Sequence, residues 1–192
     1  MPRRQTPPRP HMALPTRWLM TDERLGDDLW SAIDRLPRGA GIVFRHHSTP
    51  PAARRALFGR VARIAAAREL LLLQGGAAGL GPRGDGFHGR HGPGLRSLSV
   101  HSLAQALIAR RARVDLVFVS PVFATRSHPG AKALGPWRAA VLARIAGVPA
   151  IALGGMDERR FARLRRLGFH GWAGIDAWAA AHAGQKRKAV PI

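Results

Sequence analysis

Residues 96–121, RSLSVHSLAQALIARRARVDLVFVSP, contain one complete strand–helix–strand unit and decide the fold class. The apolar run RSLSVH (96–101) is followed by a stretch with helical spacing, Ser102–Arg113, and then by a second apolar run, DLVFVSP (115–121). Ser102 stands where the N-cap of a helix is expected. A strand, a helix and another strand in close succession are typical of a βαβ unit with parallel strands.

The same alternation continues on both sides of this unit. Further apolar runs are RWLMTD (17–22), GIVFRHH (41–47), ELLLLQ (69–74), GFHG (86–89), PAIALGG (149–155) and HGWAGID (170–176). Further helical stretches are Asp27–Leu36, Pro51–Arg68, Gly135–Ala146, Asp157–Leu167 and Ala177–His182. The runs LLLL and AIAL lack polar alternation, as expected for strands buried on both faces. Eight such strands predict a single (β/α)8 TIM barrel of minimal size with a thin fourth unit, whereas an open flavodoxin-like sheet needs only about five.

Length and composition agree with a single globular domain. The chain has 192 residues, of which 46% are hydrophobic, and it has no cysteine, which excludes disulfide scaffolds, thiolate metal sites and cysteine nucleophiles. We expect a disordered, basic, Pro-rich arm at 1–15, the barrel at 16–182 and a basic tail at 183–192. No apolar run is long enough for a membrane span, and the first residues lack the apolar core of a secretory signal. The expected location is therefore the cytoplasm, and translation could start at Met1 or Met12.

The charge balance first suggests a nucleic-acid partner. The chain carries 31 Lys+Arg against 11 Asp+Glu, a formal charge of +20, and phosphate backbones attract basic surfaces. Yet Arg replaces Lys almost throughout and Tyr is absent, which indicates a bias in coding composition. In the helix Asp157–Leu167 the arginines, Arg160 included, mostly face away from the apolar stripe, and this predicts a solvated basic face. An Arg-rich nucleic-acid-binding protein is accordingly the weaker alternative.

Polar side chains collect at the carboxyl ends of the predicted strands, where TIM barrels carry their active sites. The candidates are Arg45, His46, His47, Gln74, His88, His91, His101, Ser120, Gly154, Gly155 and Asp176. In the loop SPVFATRSHPG (120–130), the hydroxyl groups of Thr125 and Ser127 could hold an oxyanion. Gly154 and Gly155 lead directly into a helix, whose first N–H groups can bind an anion.

Three segments carry a family resemblance: SVHS (99–102), DLVFVSPVFATRSHPGAKALG (115–135) and VPAIALGG (148–155). Together they resemble the thiamine phosphate synthase/TenI family, which implies a TIM barrel that acts on a thiazole phosphate. The synthase branch joins this thiazole to a pyrimidine diphosphate with Mg²⁺, and the tautomerase branch moves a proton on the thiazole.

The resemblance also implies roles for individual residues. His101 matches the strand-five histidine that the tautomerase branch uses as acid and base. Thr125 and Ser127 would contact pyrophosphate or substrate, and Gly154 and Gly155 would hold the thiazole phosphate. Arg45 matches the arginine of the strand-two Q-x-R-x-K motif, a pyrophosphate contact. Ser120, which follows strand six, is a further candidate for substrate binding because of its place at a strand end.

The departures from the family pattern concern charge and metal binding. His47 stands at the lysine position of the strand-two motif, and Gln74-Gly75 replaces an Asn-Asp pair whose carboxylate binds Mg²⁺. The second metal carboxylate falls near 91–93, where no acid is present. Asp176 stands where a small hydroxyl residue adjoins the phosphate, and its charge would repel a dianion. We expect no protein-held metal, and Mg²⁺ would be needed only if the synthase reaction is retained.

These observations predict an enzyme of thiamine biosynthesis that acts on a thiazole phosphate. TenI-like tautomerase chemistry, or that of a divergent synthase, is favoured over standard Mg²⁺-dependent coupling. The alternative is a non-catalytic barrel that binds thiazole phosphate. The expected partner is a small phosphorylated heterocycle, with no membrane and no nucleic acid; a homo-oligomer is left open.

Overall fold

Eight parallel strands close into a barrel, in the order β1 to β8 along the chain. The structure, a computed structural model, describes residues 13–76, 80–81, 84–125, 130 and 132–179. The strands are β1 Arg17–Met20, β2 Gly41–Phe44, β3 Leu71–Gly75, β4 Gly86–His88, β5 Leu95–Val100, β6 Leu116–Val119, β7 Ala150–Leu153 and β8 Gly171–Gly174. The barrel closes where β1 pairs with β8, with Trp18 opposite Ala173. The predicted TIM barrel and its eight strands are confirmed.

Helices cover the outside of the barrel in the order that the sequence predicts. They are α1 Asp28–Asp34, α2 Pro51–Ala67, α3 Leu103–Ala112, α4 Gly135–Ala146 and α5 Glu158–Leu164. Short 3-10 helices lie at Glu23–Leu25 and Arg165–Leu167. In the described parts of the β3–β4 and β4–β5 connections no helix forms, which agrees with the thin fourth unit.

Two boundaries differ from the sequence prediction. The predicted helix Ala177–His182 does not form over 177–179, which is a turn, and 180–182 lie outside the described residues. At the other end, Pro15 is buried and Leu14 packs against the core, although both fall in the predicted arm 1–15. Pro15 is held because its carbonyl accepts a hydrogen bond from the Trp18 indole at 2.7 Å. The tail 183–192 lies outside the described residues.

Large side chains fill the barrel interior below the pocket. Trp18 from β1 meets Phe118 from β6 edge to face, with ring centroids 5.4 Å apart, and both are fully buried. The outward faces of the strands pack under the helices, as Phe44 of β2 does against Phe58 of α2. Among the described residues, no helix has the length and apolar character needed to cross a membrane. The interior therefore closes the barrel from below and leaves the carboxyl ends of the strands open for a site.

Candidate active site

A pocket of about 820 Å³ opens at the carboxyl ends of the strands, the position expected for a TIM-barrel site. Eight of the nine predicted site residues line it: Arg45, His47, His101, Ser120, Thr125, Gly154, Gly155 and Asp176. The ninth, Ser127, lies outside the described residues. The residues selected from the carboxyl ends of the strands therefore lie together in one pocket, and their roles remain predictions.

Three other strand-end candidates are absent from the described pocket lining. His46 is buried and stacks on Phe44 with ring centroids 4.8 Å apart, while its Nδ1 lies 2.9 Å from Thr21 Oγ1. Gln74 is also buried, and its amide donates to the Gly81 carbonyl at 2.8 Å. His91 is exposed, in the loop after β4. Their positions favour structural or surface roles over contact with a ligand.

His101 is held at the end of β5 by two neighbouring elements. Its backbone N–H donates to Gln105 Oε1 of α3 at 2.7 Å, and its Nδ1 lies 2.7 Å from the Ser120 carbonyl oxygen after β6. Because a carbonyl oxygen only accepts, Nδ1 carries the proton in this contact. The neutral ring then has Nε2 as its acceptor, and no contact of Nε2 is found among the described residues. His101 is thereby oriented and able to take a proton from a ligand.

His88 enters the pocket lining from β4, but both of its ring nitrogens are engaged. Nδ1 lies 2.9 Å from Ser97 Oγ, and Nε2 lies 3.0 Å from Ser99 Oγ. Burial lowers the pKa of His88 to about 4, and the positive charge of Arg45 acts in the same direction. His88 is therefore neutral near pH 7 and serves as a fixed polar link between two serines of β5.

The depressed pKa of His88 makes stability depend on pH. In the unfolded chain the ring takes a proton near its ordinary pKa of 6.5, but in the folded chain only near 4. The unfolded state therefore binds more protons between these values, and we expect the free energy of unfolding to fall as the pH drops through this window. The loss from His88 is about 3 kcal/mol by pH 4 and is absent above about pH 7.

Guanidinium denaturation at several pH values between about 4 and 7.5 measures this loss. His88→Gln, whose amide can still link the two serines, should flatten the pH dependence. Burial also lowers the pKa of His46, so the variant keeps a smaller slope of the same sign. An unchanged slope in the variant would show that His88 is not the group responsible.

Arg45 reaches the pocket from the end of β2, where the end of β1 fixes it. Its Nη2 donates to Asp22 Oδ2 at 2.8 Å, and its Nε donates to the Thr21 carbonyl at 2.9 Å. Thr21 Oγ1 in turn accepts the backbone N–H of Arg45 at 2.9 Å. The arginine is therefore part of a rigid network and is not a free cation.

The turn after β7 approaches the loop after β6 so closely that it needs glycine. A Cβ on Gly154 would lie 2.8 Å from Pro121 Cα, and one on Gly155 would lie 2.5 Å from the Ala124 carbonyl oxygen. Both glycines also have positive φ, 94° and 59°. Packing alone thus accounts for the Gly-Gly pair, and anion binding by its N–H groups remains a prediction.

Arg160 lies beside this turn, although the sequence pattern placed it on a solvated face. Its guanidinium donates to the Gly155 carbonyl and lies over the Phe123 ring, 4.9 Å from the centroid. Arg160 is in the first turn of α5, so it projects towards the pocket rim. Asp157 caps the same helix by accepting the Arg160 backbone N–H at 2.7 Å, so one donor at the helix start is already occupied.

The described pocket lining is electrically balanced. Its charged side chains are Arg45 and Arg160 against Asp157 and Asp176, a formal sum of zero when the histidines are neutral. The +20 of the chain is therefore not concentrated at the site, which speaks against a polyanion as the ligand.

The residues at the family's metal positions do not fit Mg²⁺. Gly75 has no side chain that could bind a metal, and the Gln74 amide already donates a hydrogen bond to the Gly81 carbonyl. His91 is exposed on a loop. Mg²⁺ prefers carboxylate oxygens and water, and the described residues contain no cluster of three side chains able to hold a metal ion. No step of a reaction is therefore assigned to a protein-held metal.

Several pocket residues are not predicted from the sequence, and their positions explain why. Asp157 and Arg160 belong to the start of α5, beyond the strand ends that the rule selects. Met20 and Ser99 belong to β1 and β5, where they extend the lining. Ser99 could have been found, because Ser97, Ser99 and His101 alternate along one strand and so face the same side.

The closed barrel and its strand-end pocket define the class: a (β/α)8 barrel with a pocket at the carboxyl ends of its strands. The model of the TMP-TENI family, described as thiamine monophosphate synthase, matches residues 95–178, which contain β5 to β8. Over these residues, somewhat less than half of the chain, the protein is similar to this family. The predicted family resemblance is confirmed.

Known relatives agree with this similarity. The chain is 34% identical over 88 residues to thiamine-phosphate synthase of Chloroflexus aurantiacus, a match to 45% of this chain and 41% of that protein. The chain thus spans about two fifths of the length of the curated relatives that it matches. Thiamine phosphate pyrophosphorylase from Pyrococcus furiosus has the same fold, with TM-score 0.71, 20% identity and coverage of 85% and 86%. The corresponding protein of Bacteroides thetaiotaomicron superposes with TM-score 0.55 at 18% identity, covering 85% and 83%.

Proposed function

We propose that the chain is an enzyme of thiamine biosynthesis that acts on a thiazole phosphate by TenI-like tautomerisation. The observation that carries the proposal is the contact between His101 Nδ1 and the Ser120 carbonyl in the pocket. It leaves Nε2 as the proton acceptor of a fixed imidazole, the group best suited to proton transfer near neutral pH. The metal-dependent coupling is the less favoured reaction, because the donor set does not fit Mg²⁺.

The proposed reaction needs only one mobile proton. His101 Nε2 takes a proton from a carbon of the thiazole phosphate, and the resulting imidazolium returns a proton to another atom of the same molecule. Nothing is gained or lost, so neither a co-reactant nor a leaving group is involved. The Nδ1–H contact with Ser120 keeps Nε2 in place, and the carbonyl dipole stabilises the imidazolium that forms.

The phosphate of this substrate would lie near the β6–β7 side of the pocket. Gly154 and Gly155 would offer backbone N–H groups there, and the Arg160 guanidinium adds a positive charge. Thr125, at the end of the described part of the β6 loop, would add a hydroxyl group. Asp176 shares the pocket and lowers the affinity for a dianion, which Arg160 partly offsets.

An assay of the purified protein for two products, each with EDTA and with Mg²⁺, tests this proposal. Isomerisation of thiazole phosphate and formation of thiamine phosphate with the pyrimidine diphosphate are each followed with EDTA and with Mg²⁺. We expect isomerisation at the same rate in both and no thiamine phosphate in either. Formation of thiamine phosphate that requires Mg²⁺, without isomerisation, would contradict the proposal and support the synthase reaction.

The same experiment separates the enzyme from the non-catalytic alternative. A degenerate barrel would form neither product, but thiazole phosphate would still raise its melting temperature. That outcome would contradict the tautomerase and support a binding protein.

A further inference from the structure

The exposed large apolar side chains of the described residues all lie on two neighbouring helices, α3 and α4. They are Leu103, Leu107, Trp137 and Val141, of which Trp137 is 74% and Leu103 is 54% exposed. α3 packs alongside α4 on the outside of the barrel. Each helix carries one of these residues in its first turn and one a turn later, so each pair lies on one face of its helix. We call these four residues the α3–α4 patch.

Packing against the barrel does not account for the apolar outer face of these helices. The buried residues of α3 are Ala106 and Ala109, and those of α4 are alanines apart from Leu142. In a surface helix the large apolar side chains normally face the core and the outer face is polar. Here the small side chains face the barrel and large ones face outwards. A contiguous apolar surface of this kind marks a place where another molecule binds.

The α3–α4 patch has about the size that a weak dimer needs. Its four side chains expose on the order of 400–500 Å² of apolar surface, near the upper end for the largest patch on a typical monomer. When two copies pair through the same patch, the buried area doubles to roughly 1,000 Å², close to the lower limit for a specific interface. The area therefore fits a second copy of this chain, held with modest affinity.

The charges near the patch are compatible with pairing about a two-fold axis. Arg110 and Arg111 lie in the last turn of α3, and Arg144 lies in the last turn of α4. If the axis passes through the patch and the helices of the two copies run antiparallel, these arginines lie at opposite ends of the interface. Arg138, the exposed neighbour of Trp137, would lie at the rim, where water and salt screen its charge.

We propose that the α3–α4 patch is the interface of a homodimer, in which Trp137 and Leu107 of one copy pack against the same patch of a second copy. The interface is small, so we expect a dissociation constant on the order of 100 µM. At the concentration of about 1 µM that suits denaturation experiments, the dimer is dissociated and unfolding reports on the monomer. The proposal involves neither the pocket nor a reaction, and it is independent of the proposed function.

Sedimentation equilibrium of the full chain, at concentrations from about 5 to about 500 µM, tests the proposal. The average mass of the wild type should rise from that of the monomer towards that of the dimer. Trp137→Ala should weaken dimerisation about tenfold or more, because a central tryptophan usually contributes most to an interface. Leu107→Ala should weaken it about fivefold, and the double variant should stay monomeric.

A matched variant on another face of the barrel is the control. Arg63 is exposed on α2, which packs against β3 and does not belong to the patch. Arg63→Gln should leave the dissociation constant within about twofold of the wild type. Circular dichroism and the melting temperature at low protein concentration show whether each variant is folded.

The response to salt separates this dimer from an assembly held by ion pairs. Two copies with a formal charge of +20 each repel one another, and salt screens this repulsion. Raising the NaCl concentration from about 0.1 M to about 0.5 M should therefore tighten dimerisation by about threefold or more. Weaker dimerisation at the higher salt concentration would contradict an apolar interface.

A wild type that stays monomeric up to about 500 µM overturns the proposal, as does a dimer that Trp137→Ala leaves unchanged. Two outcomes with a monomeric wild type would assign the patch to a different occupant. Binding to vesicles of anionic phospholipid that is lost in Trp137→Ala would assign it to a membrane surface. Binding to polyglutamate that is lost in the same variant would assign it to an acidic protein partner.

Discussion

Replacing His101 by Ala should lower the rate of thiazole isomerisation about a thousandfold, the range typical for loss of a general acid–base group. The loss should appear in kcat, because the histidine transfers the proton in the transition state and does not bind the phosphate. The melting temperature should change little, since His101 is exposed. Steady-state kinetics of the wild type and the variant measure this effect.

Two companion variants sharpen the result. His101→Asn can still donate a hydrogen bond to the Ser120 carbonyl but cannot take a proton, so it should be as inactive as His101→Ala. His91→Ala changes an exposed histidine that does not line the described pocket, and its rate should stay within about twofold of the wild type. Activity retained in His101→Asn would show that orientation, and not proton transfer, is the role of this residue.

Replacing Trp18 by Ala should destabilise the barrel by about 3–5 kcal/mol, since it removes a fully buried indole and leaves a cavity. The indole is fully buried, packs on Phe118 and donates to the Pro15 carbonyl at 2.7 Å. The loss of this hydrogen bond adds to the loss of packing. Guanidinium denaturation followed by circular dichroism gives the free energy of unfolding.

Trp137→Ala is the matched control. Trp137 on α4 is 74% exposed, so the same substitution should change the free energy of unfolding by about 0.5 kcal/mol or less. Equal losses in the free energy of unfolding for Trp18→Ala and Trp137→Ala would contradict the stabilising role of the Trp18 packing in the barrel interior.

The fold could be predicted from the sequence because parallel strands buried on both faces leave a strong pattern. Runs such as LLLL before Gln74 and AIAL before Gly154 are too apolar to be anything but buried. The helix ends followed from local chemistry: Ser102 and Asp157 cap α3 and α5 as their types suggest. The helix predicted from Ala177 was wrong over 177–179, because helical propensity alone does not decide what a short terminal segment does.

The position of the candidate site could be predicted from the sequence, but the hydrogen bonds and ion pairs within it could not. Counting strand ends selects Arg45 and His101 because carboxyl ends of parallel strands meet at one face of the barrel. No sequence rule pairs Asp22 with Arg45, since the two residues come together only when β1 and β2 lie side by side. Arg160 is exposed, as its place on the polar face of the helix predicts. Helical periodicity does not show that the first turn of α5 lies at the pocket rim.

An experiment in D₂O shows whether His101 moves a proton on the substrate without a metal. Thiazole phosphate is incubated with the protein in D₂O and EDTA, and NMR follows the carbon that gains the proton. We expect isomerised product with deuterium at that carbon from the wild-type protein and none from His101→Ala. No isomerised product with the wild type, or product formed at the wild-type rate by His101→Ala, would contradict proton transfer by His101.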